Sequence, residues 1–540
     1  MKRTVSRTCF GILAFSMMSF MSPAAWAATY FVAPNGSNSA AGSASAPWQT
    51  LSYACGKAVS GDTINVNAGS YTDNSTCTLK TGVKILGAGS SLVTINTTAN
   101  PYIKATSSLP VVNGANEIAG IGFVGTGTAI LSGARSNQIF HDCAFNGFAN
   151  AISVYGKMYI YSNACLTTAP TQTATYCDDS APLSTEPAAN EWATGIQIYN
   201  NTLINSKLYP NSIKSSSIHD NVIDNSTSLL SAVGNTSHWW NDVQFYNNTM
   251  KVATLAWHTV AIEVWMVEGD TKFYNNWTNG MYSILLNPNG PNLPYSWEII
   301  NNTFASDVPQ GTGSTAVGQA LESCYFVENV LIAGNYFTNT TSTKGYDTAI
   351  GIHGKGYTKN VTIRNNVFYN IYGDAVAINT TDKTGAPFVG SNINIYNNVF
   401  DTMNNGSSQG IYMQNGVGTL DSVNIRNNIF KGVAHGALIY PGGAGISNIV
   451  FTNNNVANGA YTYNYGSGGF TTVTNNYNFA AQFQGSGNRP DPYYRPGSAT
   501  ANIVGKGTKV GLPFSGTAPT LGAFDPSLEL YAPSSISIGQ

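Results

Sequence analysis

Charged side chains are scarce in this sequence. The chain has 24 Lys+Arg and 26 Asp+Glu among 540 residues, or 9%, whereas about a quarter of the residues in ordinary soluble domains are charged. With a net charge of −2, the chain lacks the excess of basic residues that binds nucleic acid or an anionic membrane. We therefore expect no nucleic-acid partner. With 43% hydrophobic and 11% aromatic residues, the chain still has ample material for a large core.

Short motifs for bound groups are also missing. The sequence has no glycine-rich phosphate loop, dinucleotide fingerprint, nucleophile elbow or zinc-ligand spacing. It therefore predicts no metal centre and no cofactor, with only Ca²⁺ left open. Asp347, Asp374 and Asp382 carry the oxygen ligands that Ca²⁺ prefers. For Asp374 and Asp382 the favoured alternative is capping of backbone amides in turns.

Long hydrophobic runs are absent beyond the N-terminus. There, basic residues precede an apolar run from Cys9 to Met21, and Ala25-Trp26-Ala27 supplies the small residues that a signal peptidase reads. We predict a signal peptide over residues 1–27 and a secreted or periplasmic protein. The run is too short to span a bilayer and Cys9 precedes it, so a membrane anchor is not expected.

Cysteine is infrequent, and six residues follow the predicted leader: Cys55, Cys77, Cys143, Cys165, Cys177 and Cys324. An even number in an exported chain favours disulfides. The spacing suits local bridges between Cys55 and Cys77 and between Cys165 and Cys177. Cys143 and Cys324 fit best as buried free thiols.

One phrase recurs along the chain. It is an alternating apolar pair, two Asn-like residues and a further apolar position, as in IQIYNNTL from Ile196 and TIRNNVF from Thr362. The phrases follow one another at about 28 residues, a length typical of stacked repeats. Their second polar residues are Asn201, Asn221, Asn248, Asn276, Asn302, Asn335, Asn366, Asn398, Asn428 and Asn454.

The repeat predicts an all-β, right-handed parallel β-helix. Its segments alternate with period two and are rich in Val, Ile, Phe and Tyr, which is typical of strands. A leucine-rich repeat would need a leucine consensus and a helical return that this sequence lacks. We interpret the Asn column as structural. Each amide is expected to stack on the Asn of the next coil and to satisfy a turn backbone that can adopt the left-handed conformation.

A terminal segment flanks the repeats on each side. Residues 28–80 are predicted as an N-terminal cap and first coil, with a short helix between Pro47 and Ala58. Residues 81–480 are predicted as the β-helix, with a loop insertion near 161–192. Residues 481–540 are predicted as a C-terminal closing segment.

Both ends carry a family resemblance. The opening segment from Thr29 to Tyr71 contains Gly-Asp-Thr-Ile, and the tail from Asp491 contains Gly-Ala-Phe just before Asp525. These segments resemble those of secreted right-handed parallel β-helix proteins, the group that contains pectate-lyase-like and chondroitinase-B-like polysaccharide lyases. The resemblance implies the β-helix fold and an extracellular polysaccharide as partner. Its motifs are fold signatures and not catalytic ones.

A second alternating strand precedes most Asn phrases, as in AIEVW from Ala261 and AIGIH from Ala349. One apolar position of each strand is predicted to point inward: Ile262, Ile284, Leu321, Ile350, Val376, Ile411 and Leu438. The next residue and the third one after it then face outward. These outward columns are Glu263, Leu285, Glu322, Gly351, Ala377 and Tyr412, and beside them Trp265, Asn287, Cys324, His353, Asn379 and Gln414.

Glu263 and Glu322 are the first catalytic candidates. At about 4.8 Å per coil their backbones are expected about 10 Å apart. Leaning side chains then bring the carboxyls toward the separation of an inverting glycosidase, about 6.5–9.5 Å. The alternative is two solvated glutamates that share a register. His353 is the third catalytic candidate, as the base that a lyase needs next to a uronate carboxylate.

Substrate-binding candidates lie in two columns. On the strands just described they are Trp265, Asn287, Asn379 and Gln414. The residue before each Asn pair forms the other column, Tyr199, His219, Tyr246 and Tyr274 and later Arg364, Tyr396 and Arg426. Of these we predict that Tyr246, Tyr274 and Arg364 bind substrate, because flat rings at coil spacing can stack on sugar faces. Equally, such tyrosines can simply cover the sheet.

Two functions follow from these features. The leading one is a secreted enzyme that cleaves a polysaccharide along a groove on the side of the β-helix. The family resemblance implies a lyase, whereas the outward residues suit a hydrolase at least as well. The alternative is a non-catalytic extracellular protein that binds or adheres to glycans. In either case we expect a monomer, because solenoid ends are usually capped.

Overall fold

Successive turns of the chain stack strand on strand in the computed structural model. The structure describes residues 27–105, 112–133, 135–154, 158–161, 163–166, 193–210, 213–227, 232–234, 239–252, 260–264, 266–279, 282–286, 295–306, 319–323, 327–339, 348–352, 356–379, 388–401, 408–414, 418–440, 445–464, 469–485 and 494–524. Within these residues all paired strands are parallel, and they form three long sheets and two small ones. The predicted signal peptide, residues 1–27, lies outside them except for Ala27.

Sheet 1 contains Thr29–Val32, Thr63–Val66, Lys84–Gly87, Glu117–Ala119, Gln138–His141, Met158–Tyr161, Ala193–Thr194, Gln197–Tyr199, Ile213–His219, Trp239–Tyr246, Met266–Tyr274, Tyr295–Ile300, Val327–Ala333, Gly356–Arg364, Phe388–Tyr396, Thr419–Arg426, Ile446–Thr452 and Phe470–Thr474. Sheet 2 contains Gly69–Thr72, Val93–Asn96, Gly122–Val124, Ala144–Asn146, Ala164–Leu166, Thr202–Ile204, Val222–Asn225, Thr249–Val252, Trp277–Asn279, Thr303–Ser306, Tyr336–Asn339, Val367–Tyr369, Val399–Asp401, Ile429–Lys431 and Asn455–Ala457.

Sheet 3 contains Val233–Gly234, Val260–Val264, Tyr282–Leu286, Gln319–Ser323, Thr348–Ile352, Asp374–Asn379, Gln409–Gln414, His435–Tyr440 and Ala460–Asn464. The small sheets near the N-terminal end contain Cys77–Thr78, Ile103–Lys104, Thr128–Ser132 and Asn150–Val154, and Val112–Asn113 and Arg135–Ser136. From the coil that begins at Ile213–His219, the chain runs from sheet 1 through an Asn corner to sheet 2, then to sheet 3 and on to the next coil, whereas earlier coils pass from sheet 2 to the small four-stranded sheet. The predicted fold class, a right-handed parallel β-helix, is confirmed.

The Asn corner is a buried ladder. Asn366 is fully buried, and its Oδ1 accepts from the backbone N–H of Asn335 (2.9 Å) and from the Asn335 side chain (3.0 Å). Its Nδ2 donates to the Ile332 carbonyl (2.9 Å) and to Oδ1 of Asn398 (3.0 Å). The same pattern runs through all ten predicted positions and extends to Asn163 and Asn476. The structural interpretation of the column is therefore confirmed.

The residue before each ladder Asn makes the turn. Asn365 has φ 56° and Asn397 has φ 53°, and most residues at this position of the other coils share the left-handed conformation. Asn tolerates this backbone better than other residues with a side chain, apart from Asp. This tolerance explains why the phrase has two polar residues: the first turns the chain, and the second builds the ladder.

A short helix covers the N-terminal end. Leu51–Lys57 lies within the predicted cap, and the Thr50 side chain accepts from the Tyr53 N–H at its start. The predicted Cys55–Cys77 disulfide is present and joins this helix to the first coil. No helix in the described part of the chain is long and apolar enough to cross a membrane.

Cys143 is a buried free thiol, as predicted. Burial raises the pKa of its thiol to about 12, so the sulfur stays protonated at neutral pH. Cys177, the predicted disulfide partner of Cys165, lies outside the described residues, and so does Cys324, the other predicted free thiol. The side chain of Cys165 is not described either. The second predicted bridge stays a prediction.

The described C-terminal segment, residues 494–524, lies along the flank. Ala501, Ile503 and Leu521 pack with an apolar outward column of sheet 2 that includes Val367 and Val399. Turn asparagines of four successive coils donate to its carbonyls: Asn453 to Lys506, Asn427 to Thr508, Asn397 to Thr520 and Asn365 to Ala523. The expected closing segment therefore covers the side of several coils, because sheet 2 presents an apolar column there.

A charged cluster lies on the outer face of sheet 1 near the N-terminal end. Glu117 contacts Lys84 Nζ at 2.7 Å and His141 Nε2 at 3.2 Å, and His141 Nδ1 contacts Asp142 at 2.6 Å. Burial raises the pKa of Glu117, but hydrogen bonds and charge from Lys84 and His141 outweigh this and leave the pKa below its usual value. The cluster thus favours the ionised carboxylate.

This lowered pKa predicts a pH-dependent contribution to stability. A carboxylate with a lowered folded pKa stabilises the fold above its unfolded pKa of about 4.3, and the gain is lost as pH falls through the folded value. We expect Glu117→Gln to lower the free energy of unfolding at pH 7 by less than about 1 kcal/mol, since the pair is partly exposed. The difference should shrink at about pH 3.5. Urea unfolding at both pH values checks this, and an equal cost at both would contradict it.

Candidate functional site

The outer face of sheet 3 holds the predicted catalytic column. The strands pair so that Glu263 lies opposite Leu285, Leu285 opposite Glu322, and the column continues through Gly351 and Ala377 to Tyr412. The inward neighbours Ile262, Ile350, Val376 and Ile411 are fully buried. The predicted register of these six strands is confirmed, and Glu263 and Glu322 are two coils apart in one column.

The seventh strand differs from the predicted register by one residue. Leu438 was predicted to point inward, but Ala437 pairs with Ile411 and Leu438 pairs with Tyr412. The reason lies in the second residue of each strand, Gly410 in one and Gly436 in the other. Added Cβ atoms would meet the Phe430 ring at Gly410 and the Phe451 ring at Gly436. These two glycines align, so the residue after each, Ile411 or Ala437, points inward.

The other predicted site residues are only partly described. The strand of Glu322 is described but its side chain is not, and the same holds for Asn379, which pairs with the exposed Gln414. Glu263 is half-buried. His353, Trp265 and Asn287 lie outside the described residues. The roles of all these residues stay predictions.

The charge of sheet 3 has one sign. Its described strands carry three carboxylate residues, Glu263, Glu322 and Asp374, together with His435 and no Lys or Arg. Basic residues lie on sheet 1 instead, for example Lys272, Lys359 and Arg364. The described strands of this sheet therefore disfavour an anionic ligand and supply no cation to a developing negative charge.

Three polar residues that begin successive strands of sheet 3, Asp374, Gln409 and His435, form a hydrogen-bonded group that the sequence does not predict. Oδ1 of Asp374 accepts from the backbone N–H of Gln409 on the next coil (2.9 Å), so Asp374 does cap a backbone amide, but at the start of a neighbouring strand and not in a turn. Oε1 of Gln409 accepts from Nδ1 of His435 one coil further on (2.7 Å). Because Nδ1 carries the proton, Nε2 of a neutral His435 is an acceptor. Burial lowers the pKa of His435, which favours this neutral form.

Three tyrosines surround this group. Burial, followed by the charge of Asp374 and the neighbouring Tyr440, raises the pKa of Tyr412 to about 12. The rings of Tyr412 and Tyr440 are 6.4 Å apart, and those of His435 and Tyr463 are 5.0 Å apart. Tyr440 and Tyr463 are 45% and 43% exposed. The sequence does not predict this cluster, because its predicted register points Leu438 inward. In the structure Gly410 aligns with Gly436, and Leu438 and Tyr463 lie in the column of Tyr412.

The predicted aromatic column on sheet 1 is present, but its rings face one another. Tyr199, His219, Tyr246 and Tyr274 occupy one register column. Successive centroids are 5.0, 4.5 and 4.7 Å apart, with interplanar angles of 6–7°. Both faces of His219 and Tyr246 are therefore covered by neighbours, and only ring edges and hydroxyls remain for a ligand. The predicted binding of substrate by Tyr246 and Tyr274 stays a prediction.

Arg364 continues the same column. It aligns with Tyr396, and Tyr396 aligns with Arg426. Nη1 of Arg364 donates to Oδ1 of Asn365 (3.2 Å), the residue whose side chain binds the C-terminal segment. Its predicted contact with substrate stays a prediction. In the described part of the chain no three His, Cys, Asp or Glu side chains are grouped to hold a metal ion, and Asp347 and Asp382 lie outside that part.

Comparison with known proteins gives structural neighbours only. No family model and no curated protein matches the chain. One solved structure it resembles is the catalytic unit of a GH87 α-1,3-glucanase from Streptomyces thermodiastaticus, with 13% identity over 78% of this chain and a TM-score of 0.32. That match spans 64% of the glucanase chain, just under two thirds of its length.

Two further structures match over long stretches. Pectate lyase Pel9A has 14% identity, coverage of 93% of this chain and 96% of its own, and a TM-score of 0.22. The N-terminal fragment of bacteriophage phi29 gene product 12 has 11% identity, coverage of 72% and 65%, and a TM-score of 0.37. A pectate lyase, from the group that the sequence resembles, is thus among the neighbours. At such low identity no activity is transferred from them.

Proposed function

We propose that the protein is a secreted glycoside hydrolase that cleaves a neutral polysaccharide on the outer face of sheet 3. One observation carries the proposal: Glu263 and Glu322 occupy one register column two coils apart, on a sheet whose described strands have no Lys or Arg. The Cys55–Cys77 disulfide supports an oxidising compartment.

Two carboxyl groups on alternate coils suit inverting hydrolysis. Two strand spacings amount to about 9.6 Å, close to the upper end of the carboxyl separation in inverting glycosidases, about 6.5–9.5 Å. One glutamic acid protonates the leaving oxygen. The other, as carboxylate, takes a proton from a water that attacks the opposite face of the sugar.

The sign of the charge favours a hydrolase over a lyase. A lyase removes a proton beside a uronate carboxylate and needs a cation to stabilise the charge that develops. The described strands of sheet 3 offer no such cation, and their carboxylates would repel the substrate. A neutral glycan avoids both penalties.

A screen of the purified chain tests the proposal. Neutral polysaccharides such as xylan, dextran and galactomannan are incubated in parallel with polygalacturonate, and reducing ends and unsaturated products are followed together. We expect reducing ends from a neutral member without unsaturated product. Unsaturated product from polygalacturonate would establish a lyase, and binding without any cleavage would establish the alternative, a glycan-binding protein.

A further inference from the structure

The described C-terminal segment runs against the direction in which the coils stack. The carbonyl of Lys506 accepts from the turn residue Asn453, whereas the carbonyl of Ala523, further along the segment, accepts from Asn365 on an earlier coil. Phe524 follows directly and packs on the same apolar cluster of sheet 2. The chain therefore leaves the described residues on a course toward the N-terminal coils.

The next turn side chain on this course belongs to Asn301. It has φ 55°, as Asn365 has φ 56°, and the coil between them turns at Gly334, which has no side chain. Oδ1 of Asn301 is buried, and no described residue donates a hydrogen bond to it. Oδ1 of Asn427, by contrast, accepts from the backbone N–H of Thr508 in the segment (2.7 Å). Because a buried acceptor without a donor is costly, Asn301 calls for a similar backbone donor.

An apolar strip on the outer face of sheet 2 continues in the same direction. One register column contains Val367, Tyr336, Trp277 and Val222. The first two pack with the described segment and are 1% and 4% exposed, Trp277 is half-buried, and Val222 is 44% exposed. Ile204, on the same face one coil further on, is 39% exposed. The cover of this strip thus decreases beyond the point where the described segment ends.

The residues that follow Phe524 suit this strip. Alternate apolar residues of the described segment pack on sheet 2: Ala501, Ile503, Leu521 and Ala523. The same spacing recurs in residues 525–540, at Leu528, Leu530, Ile536 and Ile538. Fully extended, residues 525–540 span about 50 Å. Val222 lies five coils from Val367, about 24 Å along the axis, so the segment is long enough to reach it.

We propose that residues 525–540 continue along the flank of sheet 2, with a backbone N–H bonded to the Asn301 side chain and alternate apolar residues over Val222 and Ile204. The occupant is this segment of the same chain because residues 494–524 lead it to the edge of the strip. Docked in this way, the segment stabilises the contacts between the coils that it crosses. The inference does not depend on the proposed hydrolase, and its test needs no substrate.

Hydrogen–deuterium exchange of the full chain, followed by mass spectrometry, tests this docking. Peptides from residues 525–540 are expected to exchange at least about tenfold more slowly than the same peptide free in solution, since docked amides are protected. Asn301→Gly suits the positive φ but removes the side-chain amide, and it should speed this exchange about threefold or more. Val222→Thr keeps the branched shape and should speed it about twofold. Asn329→Gly, exposed on sheet 1 with φ 56°, and Val389→Thr, 46% exposed on sheet 1, are the matched controls and leave the exchange unchanged.

Each other outcome overturns the docking. Exchange of residues 525–540 at the rate of the free peptide means that the segment is not bound. Protection that neither Asn301→Gly nor Val222→Thr reduces places the segment on another surface. Protection that is lost on dilution of the protein means that the segment binds a second copy and not its own chain. Val222→Thr decides alone if the circular dichroism spectrum of Asn301→Gly shows that it does not fold.

Discussion

Glu263→Gln and Glu322→Gln are each expected to lower kcat on the neutral polysaccharide by about 10²–10⁴-fold, with little change in KM. Glutamine keeps the size of the side chain but can neither release nor accept the proton, and general acid or base catalysis contributes a factor of this order. Steady-state rates of reducing-end release on the parent and variant chains measure the effect.

Glu328→Gln provides the matched control for this pair. Glu328 is also a half-buried glutamate on a strand, but it lies on sheet 1, where it aligns with Lys359. Its replacement should leave kcat within about twofold, since a residue outside the site contributes no proton transfer. Unchanged turnover in both Glu263→Gln and Glu322→Gln would contradict the assignment of the acid pair.

Asn366→Ala is expected to lower the free energy of unfolding by about 2–6 kcal/mol. The substitution removes the acceptor of the buried Asn335 N–H and the donor to the Ile332 carbonyl. Each orphaned buried group costs about 1–3 kcal/mol. Urea unfolding followed by circular dichroism measures the loss.

Asn394→Ala separates the ladder from asparagine in general. Asn394 lies on the outer face of sheet 1, and its side chain bonds only to other side chains there, among them Asn392 and Tyr396. Because water can replace these partners, we expect a cost below about 1 kcal/mol. Equal costs for Asn366→Ala and Asn394→Ala would show that the ladder is not the main element of corner stability.

Much of the fold could be predicted because it rests on local chemistry that repeats. Asn366 and its equivalents reveal the ladder, since a side-chain amide carries both an acceptor oxygen and two donor hydrogens and can use them at every coil. The shared column of Glu263 and Glu322 could be predicted because successive strand residues alternate between the two faces of the sheet. The apolar residues that precede this column, such as Ile262 and Ile350, must be buried. These features depend on residue type and spacing alone.

The remainder depends on contacts between coils that one strand does not reveal. His435, Gln409 and Asp374 lie far apart in sequence and meet only through stacking. The prediction for Leu438 is wrong because Gly410 and Gly436 align, at a position where a side chain would meet the Phe430 or Phe451 ring. The placement of residues 494–524 on the flank was not predictable either, since that segment has no repeat of its own.

The orientation of the aromatic rings could not be predicted from the sequence either. The position of Tyr246 and Tyr274 in one column could be predicted, but whether their faces or their edges meet solvent depends on the rotamers of their neighbours. Parallel stacking at 4.7 Å turns the edges outward on sheet 1. On sheet 3 the rings of Tyr412 and Tyr440 are instead tilted by 34° to each other.

The stereochemistry of the first product tests the central claim most directly. Proton NMR of the reducing ends released early in the cleavage of the neutral polysaccharide gives their anomeric configuration before mutarotation. A pair of carboxyls on alternate coils leaves room for a water, so we predict inversion. Retention would require carboxyl groups about 5–5.5 Å apart, and it would contradict the assignment of Glu263 and Glu322 as the acid pair.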